Sequence, residues 1–537
     1  MDTNHSPDMT SAAAAVSLAQ GVVDSAIATL RASGGVDANQ VVAYDIAHAA
    51  SAVATAKSTL DYGAKGDAEA RIACAFIADA LRDLGQRVMG REKLFGIKRD
   101  WMVPAEEFVT TYCDPEFLAS MTGEQGPRHL DDDFQLVAET FHRFAEEQVR
   151  PRAEHIHRTN GDIPEDLIQA LAEIGGLGLS VPEEYGGFAT GGDEDYVGMG
   201  VATEELTWGS LGIGGSLITR PEILTRALVN GGTEEQKLEW LPKLATAEVM
   251  AAVAVTEPDY GSDVAGLNTS ATKTAGGWLI NGTKTWCTFG ARANVLMLLA
   301  RTDPDRSKAH RGLSLFIVEK PVGEAHGFLF SQDAAVDGRD DDNGRMEGRP
   351  IDTLGYRGMH SYEISFDNWF VPDANLIGGD EGIGRGFYLQ MAGFENGRIQ
   401  TAARAIGLMQ AAYEAAYDYA ENRKVFGEAI IDYQLTRTKL TRMAIIIQAC
   451  RQYSLQVAHM MAKGEGALEA SMAKAYVCRA AEWVTREAMQ IHGGMGYAEE
   501  YAVSRYFVDA RVLSIFEGAD ETLCLKVVAR RLLETDS

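Results

Sequence analysis

Cysteine is scarce in this chain and has neither metal-like nor redox-like spacing. Six cysteines occur among 537 residues, and no two of them form a Cys-x-x-Cys pair. The six are Cys74, Cys113, Cys287, Cys450, Cys478 and Cys524. Scattered cysteines of this kind are more often reduced core thiols than a disulfide framework or a metal centre. We therefore predict no metal site and a cytoplasmic protein.

Positive charge is also in short supply. Lysine and arginine number 49 against 77 aspartates and glutamates, which gives a net charge of −28 and a pI near 4.8. Such a chain repels phosphate backbones, so nucleic acid is not an expected partner. An anionic ligand would have to be bound locally, through backbone N–H groups, helix N-termini and a few arginines.

Long apolar runs are also missing from the sequence. No stretch approaches the roughly 20 residues that span a bilayer. The N-terminus, MDTNHSPDMTSAAAAVSLAQ, has no basic segment followed by an apolar core, so it does not have the form of a secretory signal. We expect no membrane association.

The order of predicted elements indicates an α+β fold. Residues 1–132 predict a helical extension with a linker, 133–248 a helical domain, 249–378 a β domain, and 379–537 a second helical domain. Asn281-Gly282, set between apolar residues, predicts a hairpin turn. The Gly-rich stretch GIGRG at 382–386 is a poor dinucleotide fingerprint, because no strand–turn–helix unit surrounds it.

Residues 252–288 carry most of the chemical information. Thr256, Ser262 and Thr288 place hydroxyls at the ends of apolar segments, Gly261 permits close backbone approach, and Trp286 offers a flat apolar face. That combination suits a planar, polar heterocycle held against an apolar wall. A loop with these residues and no ligand is the alternative that the residues alone leave open.

The same segment resembles the flavin-binding signature of acyl-CoA dehydrogenases, T-E-P-x-x-G-S-D followed by N-G-x-K-x-W-x-T. Further matches follow in the family's order: PEEYGG (182–187), GTEEQKLEWLPKLA (232–245), GYRG (355–358), FENGRIQTAARAIGLMQ (394–410), NRKVFG (422–427), QIHGGMGY (490–497) and IFEGADETL (515–523). The resemblance covers about 133–537. It implies FAD as the cofactor and a fold with a helical domain, a middle β-barrel-like domain and a C-terminal four-helix bundle, here with an extra N-terminal helical extension.

The resemblance also implies which residues contact FAD. Within one subunit they would be Val255, Thr256, Gly261, Ser262, Trp286, Thr288, Ala519 and Glu521. From the neighbouring subunit they would be Arg423, Phe426, Gln490, Gly493 and Gly494, so a homodimer or homotetramer is expected. Ala519 departs from the usual Thr and Glu521 from the usual Gln. The first departure removes or reroutes a flavin contact.

Glu517 is the carboxylate at the position of the family's catalytic base. An α-proton of a thioester is weakly acidic, so its removal needs a positioned base and hydrogen bonds to the enolate oxygen. Some relatives place the base just before the Arg of the 394–398 motif, where this chain has Gly397. Glu395 and Arg398 resemble the pair that contacts coenzyme A, although an i, i+3 ion pair is nearly as good a reading. Ser262 and Gly518 complete the expected thioester contacts.

The C-terminal half is most like family members that oxidise a short, branched acyl-CoA carrying a second carboxylate. A buried carboxylate needs a positive or hydrogen-bonding partner, and Arg220 and Arg226 lie in the unusual segment 218–232. The acidic insertion at 337–348 is expected to be a solvated loop. The resemblance implies an electron-transferring flavoprotein as acceptor. Another short- or branched-chain acyl-CoA dehydrogenase, an acyl-CoA oxidase and a non-catalytic flavoprotein of the same fold remain as alternatives.

Overall fold

The structure is a computed structural model that describes residues 6–323, 327–334 and 343–534, apart from the side chains of Asp193, Glu194 and Glu395. Half of the insertion predicted at 337–348, residues 337–342, lies outside the described residues. The expectation of a solvated loop is wrong for 344–348, which form part of a β-strand paired on both sides. The chain divides into two compact units. The first unit comprises residues 1–139 and 398–537, and the second comprises residues 140–397.

Helices, a sheet and helices follow one another, as the sequence pattern predicted. The helices before the sheet are α1 (Met9–Ala32), α2 (Gln40–Gly63), α3 (Asp67–Val88), α4 (Glu106–Tyr112), α5 (Pro115–Ser120), α6 (Asp132–Phe144), α7 (Arg150–Thr159), α8 (Glu165–Glu173), α9 (Asp193–Gly209), α10 (Glu222–Gly231) and α11 (Glu234–Ala245). The strands are β1 (Ala251–Ala254), β2 (Ser270–Thr274), β3 (Gly277–Thr288), β4 (Val295–Arg301), β5 (Leu313–Glu319), β6 (Phe328–Gln332), β7 (Gly344–Ile351) and β8 (Ser361–Pro372). Then follow α12 (Gly386–Asn422), β9 (Lys424–Val425), β10 (Glu428–Ala429), α13 (Gln434–Ala462), α14 (Ala467–Ile491), α15 (Ala502–Leu513), α16 (Asp520–Thr522) and α17 (Ala529–Glu534).

Helix α2 is the central helix of the first unit. It packs against α1 and α3 of the extension and also against α13 and α14 of the C-terminal region. Its buried face is built mainly from small residues: Ala43, Ala47, Ala49, Ala50, Ser51, Thr55, Ala56, Ser58 and Thr59. Small side chains let neighbouring helices approach closely. The hydroxyls of Ser51, Thr55 and Thr59 each donate to the carbonyl four residues earlier, so none of them is left buried and unpaired.

Apolar residues at helical spacing in the sequence of α12 predict one buried stripe, and the structure confirms it. Its members Ile399, Ala402, Ala403, Ile406, Met409, Tyr413 and Ala416 are all buried. Helix α1 corrects the expectation that no segment is long and apolar enough to span a bilayer. Among the described helices it alone is long and apolar enough to cross a membrane by length and composition. Because its face bearing Ala12, Val16 and Val23 is buried in contact with α2 and α3, this is weak evidence for a membrane span.

The second unit is organised around one eight-stranded sheet. The strand order is β1-β4-β2-β3-β8-β7-β6, with β5 also paired to β4. Pairing is antiparallel except between β4 and its neighbours β1 and β2. One apolar cluster joins α10 and α11 to the sheet through Leu224, Leu228, Trp240, Leu244, Met297, Leu299, Leu315 and Ile317. This middle region matches the α+β fold class inferred from the sequence.

The predicted hairpin turn at Asn281-Gly282 is wrong. Both residues lie inside β3, where the pairing with β8 shifts register between Ile280 and Gly282. Asn281 uses its side chain there, since its Oδ1 accepts from the Asn368 N–H at 2.9 Å and its Nδ2 donates to Asn368 Oδ1 at 3.1 Å. The actual turn joins β2 to β3 at residues 275–276 and uses the positive φ of Gly276, 75°.

Candidate functional site

The segment that predicted flavin binding, residues 252–288, comprises most of β1, the loop after it, β2 and β3 of the second unit. Val255 and Thr256 directly follow β1, and Thr285 of β3 donates its backbone N–H to the Thr256 carbonyl at 2.8 Å. Gly261 and Ser262 are exposed in the loop that follows. The nearest atom that a Cβ on Gly261 would meet is Thr256 Cγ2, at 3.9 Å. The structure therefore brings the predicted residues of the two halves of the signature together along β1 and β3.

A buried ion pair between Lys284 and Glu257 stabilises the backbone around Thr256. The Lys284 ammonium donates to Glu257 Oε1 and to the Val255 carbonyl, each at 2.9 Å. The other carboxylate contacts come from the backbone N–H groups of Asn268, at 2.7 Å, and Thr269, at 2.8 Å. The side chains of Lys284 and Glu257 are 0% and 4% exposed, respectively. The pair thus fixes the backbone on either side of Thr256.

Burial and pairing shift both titrating groups of this ion pair. Complete burial lowers the pKa of Lys284 to about 8, against the attraction of Glu257. Burial alone would raise the pKa of Glu257, but the Lys284 charge and the two backbone donors outweigh it and hold the pKa below its ordinary value. Sequence reasoning passed over both residues, although each stands as a literal letter in the quoted flavin signature.

Trp286 presents its indole to solvent from within a strand. Its side chain is 56% exposed, and its φ is 57° at the point where the register of β3 on β8 shifts, between Lys284 and Cys287. Such a bulge re-aims a side chain, so Trp286 points outward while Cys287 remains buried. Two residues on, Thr288 Oγ1 lies 3.1 Å from Ser361 Oγ. An exposed flat ring with hydroxyls close by on a rigid strand fits the isoalloxazine ring of FAD.

The two arginines predicted to meet a substrate carboxylate differ in their contacts. Arg220 is buried and donates its Nε to the Ser216 carbonyl at 3.0 Å. Arg226, on α10, stacks over the Tyr196 ring at 4.9 Å and lies 3.9 Å from the Glu222 carboxylate. Nε and Nη2 of Arg226 are nevertheless buried without a hydrogen-bond partner among the described residues. That edge of a guanidinium is the one that binds a carboxylate bidentately.

Glu517 lies in the first unit, on the loop between α15 and α16. Its φ of 53° is in the left-handed region, which is uncommon for a residue with a Cβ, and Gly518 continues the turn with φ 96°. Within the described part of the chain, Oε2 of Glu517 is buried and has no hydrogen-bond partner. A strained backbone that holds an unpaired buried carboxylate oxygen is the geometry expected of a poised base.

Helix α14 contacts this loop through a residue that sequence reasoning missed. Lys474 is buried and donates its Nζ to the Gly518 carbonyl at 2.5 Å. Burial lowers its pKa, while the nearby carboxylate of Glu517 opposes that shift. Arg398, one of the predicted coenzyme A contacts, donates Nη1 to Ser471 Oγ at 3.1 Å on the same helix. A lysine in an Ala-rich helix interior, at 474, was the available signal.

The remaining predicted residues of the first unit lie at the surface or next to α16. Ala519 immediately precedes α16 without any side-chain cap, and Glu521 is exposed. Arg423 and Phe426 belong to the hairpin of β9 and β10, where Phe426 (φ 54°) and Gly427 (φ 94°) form the two-residue turn and Phe426 is 98% exposed. Exposed positions also hold Gln490, Gly493 and Gly494. The side chain of Glu395 is outside the described residues.

Comparisons with known proteins agree with this geometry. Sequence profiles of the acyl-CoA dehydrogenase N-terminal, middle and C-terminal domains match residues 131–248, 252–369 and 384–533. (2S)-Methylsuccinyl-CoA dehydrogenase of Cereibacter sphaeroides is 44% identical over 410 residues, which is 76% of this chain and 71% of that protein.

Solved structures give the same result. A structure described as the electron-transferring flavoprotein of Acidaminococcus fermentans superimposes with a TM-score of 0.67 at 30% identity, over 76% of this chain and all of that one. A glutaryl-CoA dehydrogenase of Mycobacterium smegmatis in complex with FADH2 gives 0.65 at 25% identity, over 76% of this chain and 96% of the other. None of these matches extends over the whole of this chain.

Proposed function

The chain belongs to the acyl-CoA dehydrogenase family of FAD enzymes, and we propose that it converts (2S)-methylsuccinyl-CoA to mesaconyl-CoA. The reaction removes a proton from the α-carbon and a hydride from the β-carbon of the thioester. FAD, when bound, supplies the acceptor for that hydride. Trp286, Val255, Thr256, Gly261, Ser262 and Thr288 are proposed as its contacts, and Ala519 and Glu521 as further contacts.

The substrate proposal rests on the Nε–Nη2 edge of Arg226, where neither nitrogen has a hydrogen-bond partner among the described residues. A second carboxylate on the acyl chain would supply the acceptors that Nε and Nη2 lack among the described residues. Glu222 lies 3.9 Å from Nη2, too far for a hydrogen bond, yet close enough to hold the guanidinium in place. Asn396 donates its side-chain amide to Glu222 and so fixes that carboxylate in turn. Arg220, which already donates to Ser216, is the weaker candidate.

Glu517 is proposed as the base that takes the α-proton. Its Oε2 has a lone pair that no described group occupies, so it can accept a proton without first breaking a contact. Glu517 lies outside any helix, between α15 and α16, and we propose that its backbone N–H donates to the thioester carbonyl as negative charge develops there. Gly518 and Ser262 are proposed as further contacts to the thioester.

Coenzyme A is proposed to bind near Glu395 and Arg398. Arg398 donates Nη1 to Ser471 Oγ at 3.1 Å, which orients its guanidinium, a group suited to bind a phosphate or an amide. An acidic chain needs such local donors for an anionic ligand.

We further propose a homodimer or homotetramer in the cytoplasm, with an electron-transferring flavoprotein as the electron acceptor. Phe426 is almost fully exposed on a hairpin, and Arg423, Gln490, Gly493 and Gly494 are exposed as well. An exposed phenylalanine at a rigid turn is explained if a neighbouring subunit or its FAD covers it. The solved structure described as an electron-transferring flavoprotein supports the choice of acceptor.

A substrate panel tests this proposal. We expect (2S)-methylsuccinyl-CoA to give a higher kcat/KM than butyryl-CoA or octanoyl-CoA with a dye acceptor, in air and under argon alike. Arg226→Gln should lower kcat/KM for methylsuccinyl-CoA by about 10²-fold or more and change that for butyryl-CoA little, because only the first substrate leaves a carboxylate unpaired. Arg220→Gln is the matched control. A straight-chain substrate as the best one would contradict the substrate, and oxygen as an efficient acceptor would indicate an oxidase.

A further inference from the structure

The loop that carries Glu517 is held at both of its ends. It runs from Ser514 to Ala519, and the N–H of Asp520 closes it by donating to the Ser514 carbonyl at 3.1 Å. Ser514 hydrogen-bonds Glu482 of α14 through its hydroxyl, and Lys474 of the same helix donates to Gly518. These contacts fix the side of the loop that faces α14. They leave the end at Asp520 to be fixed by other residues.

That end is held by helix α2 of the N-terminal extension. The Tyr44 hydroxyl donates to Asp520 Oδ2, and His48 Nε2 lies 3.1 Å from the same oxygen. Tyr44 and His48 are four residues apart, so they share one face of α2. Their rings meet edge to face at 4.6 Å. Asp520 and His48 are both buried, so water does not compete strongly for these bonds.

The protonation states favour this arrangement. Burial lowers the pKa of His48, so the imidazole is neutral near pH 7 and can donate one N–H. Burial alone would raise the pKa of Asp520, but the hydrogen bonds from His48 and Tyr44 outweigh it and the carboxyl stays ionised. Cys524, one turn along from Asp520, lies 3.5 Å from His48 Nε2 through its Sγ. Asp520 is therefore a buried carboxylate that depends on two donors from the extension.

We propose that Tyr44 and His48 are positioning residues, which hold the Glu517 loop in its strained conformation by way of Asp520. The extension would thereby act on catalysis, although the family profiles begin only at residue 131. Glu517 has φ 53° and Gly518 has φ 96°, and such backbone persists only where the surroundings fix it. This inference rests on the proposed role of Glu517. It adds a role for a region to which the proposed function gives none.

The test uses the holoenzyme and follows flavin bleaching under argon with the best acyl-CoA of the panel. Tyr44→Phe removes the hydroxyl and keeps the ring, and His48→Gln keeps a donor of similar reach. We expect Tyr44→Phe to slow bleaching by about 10–10²-fold, the range that a misplacement of up to about 1 Å can produce. FAD content and substrate Kd from titration should stay close to wild type. His48→Gln should recover most of the activity that His48→Ala loses.

Asp37→Asn is the matched control. Asp37 also joins the extension to the C-terminal region, through Lys526 at 3.0 Å and Arg530 at 2.8 Å, but its side chain is exposed and does not contact Asp520. We expect this variant to bleach at the wild-type rate. If Asp37→Asn and Tyr44→Phe slow bleaching equally, or if Tyr44→Phe has no effect, the positioning role is refuted.

Two further results distinguish a failure of the positioning role from a failure of the proposed function. If Tyr44→Phe bleaches at the wild-type rate while Glu517→Gln does not bleach, the positioning role is refuted and Glu517 remains the proposed base. If Glu517→Gln is as active as wild type, the proposed role of Glu517 as the base is refuted, and this inference falls with it.

The side chains of His48, Asp520 and Cys524 could also form a metal site, because their ligand atoms lie within 4.8 Å of one another. The hydrogen-bonded arrangement predicts no stoichiometric metal after dialysis against a chelator, and one bound zinc per chain would overturn it.

Discussion

Replacing Lys284 by Met tests whether the buried ion pair stabilises the candidate flavin site. The substitution keeps the length of the side chain and removes the charge beneath Val255 and Glu257. Glu257 would then remain buried with only the N–H groups of Asn268 and Thr269 as donors. Removing one partner of a buried pair typically costs about 3–5 kcal/mol, because the other charge is left uncompensated.

Protonation of Glu257 limits that loss. Neutralising a carboxyl of ordinary pKa 4.5 at pH 7.5 costs about 4 kcal/mol, since each pH unit corresponds to about 1.36 kcal/mol. We therefore expect a loss of about 3–4 kcal/mol, which lowers the melting temperature of a unit this size by roughly 6–16 °C. FAD should be lost as well, because Lys284 also holds the Val255 carbonyl.

The pH dependence follows from the same argument. In the wild type the pKa of Glu257 is lowered, so its contribution is present above pH 4.5 and is lost as the pH falls through the lower folded value. In Lys284→Met the carboxyl is buried without its cation and its pKa rises. The stability gap between the two proteins should therefore be wide at pH 7.5 and narrower at pH 5.5.

Thermal unfolding and FAD absorbance measure both effects, with Lys273→Met as the control. Lys273 pairs with Asp373 from β2, but both side chains are about half exposed, and exposed pairs contribute only about 0–1 kcal/mol. If Lys284→Met melts within about 1 °C of this control and keeps its FAD, the ion pair does not support the site, and the reasoning is refuted.

Three further results are expected. Trp286→Ala should reduce FAD content without lowering the melting temperature of the apoprotein, since the indole is 56% exposed; full FAD occupancy would contradict the assigned face. Phe426→Ala should weaken FAD retention on dilution, measured by gel filtration with absorbance at the flavin band, and unchanged retention would argue against a shared site. Asp520→Asn should destabilise the protein at pH 7 and lose that effect as the pH falls below about 3.8, because the pKa of Asp520 is lowered in the fold; a gap that stays constant with pH would rule this out.

Periodicity and the family patterns predicted the fold class because each acts locally. The stripe on α12 and the position of Trp286 followed from residues within one element or one motif. Asn281-Gly282 misled because the hairpin signal is also local, whereas β3 is continued through it by pairing with β8 on its other side. Competition between a turn preference and a long strand partner is a tertiary effect that spacing does not show.

The buried polar groups that stabilise the candidate site could not be predicted from the sequence. Lys284 and Glu257 are 27 residues apart, and His48 and Asp520 are 472 apart. Only the folded chain shows that such groups meet, since a buried charge can be recognised from sequence only once its partner is known. Asp37 illustrates the same limit, because it pairs with Lys526 and Arg530, which lie 489 and 493 residues further along the chain.

The central claim is that Glu517 removes the α-proton, and anaerobic stopped-flow bleaching of the bound FAD tests it most directly. Glu517→Gln keeps the shape and the backbone N–H, so FAD and thioester should still bind while bleaching with (2S)-methylsuccinyl-CoA falls by at least ~10²–10⁴-fold, the usual loss of a general base. Glu395→Gln should bleach at a rate near wild type. Rapid bleaching by Glu517→Gln together with slow bleaching by Glu395→Gln would contradict the claim and place the base on α12.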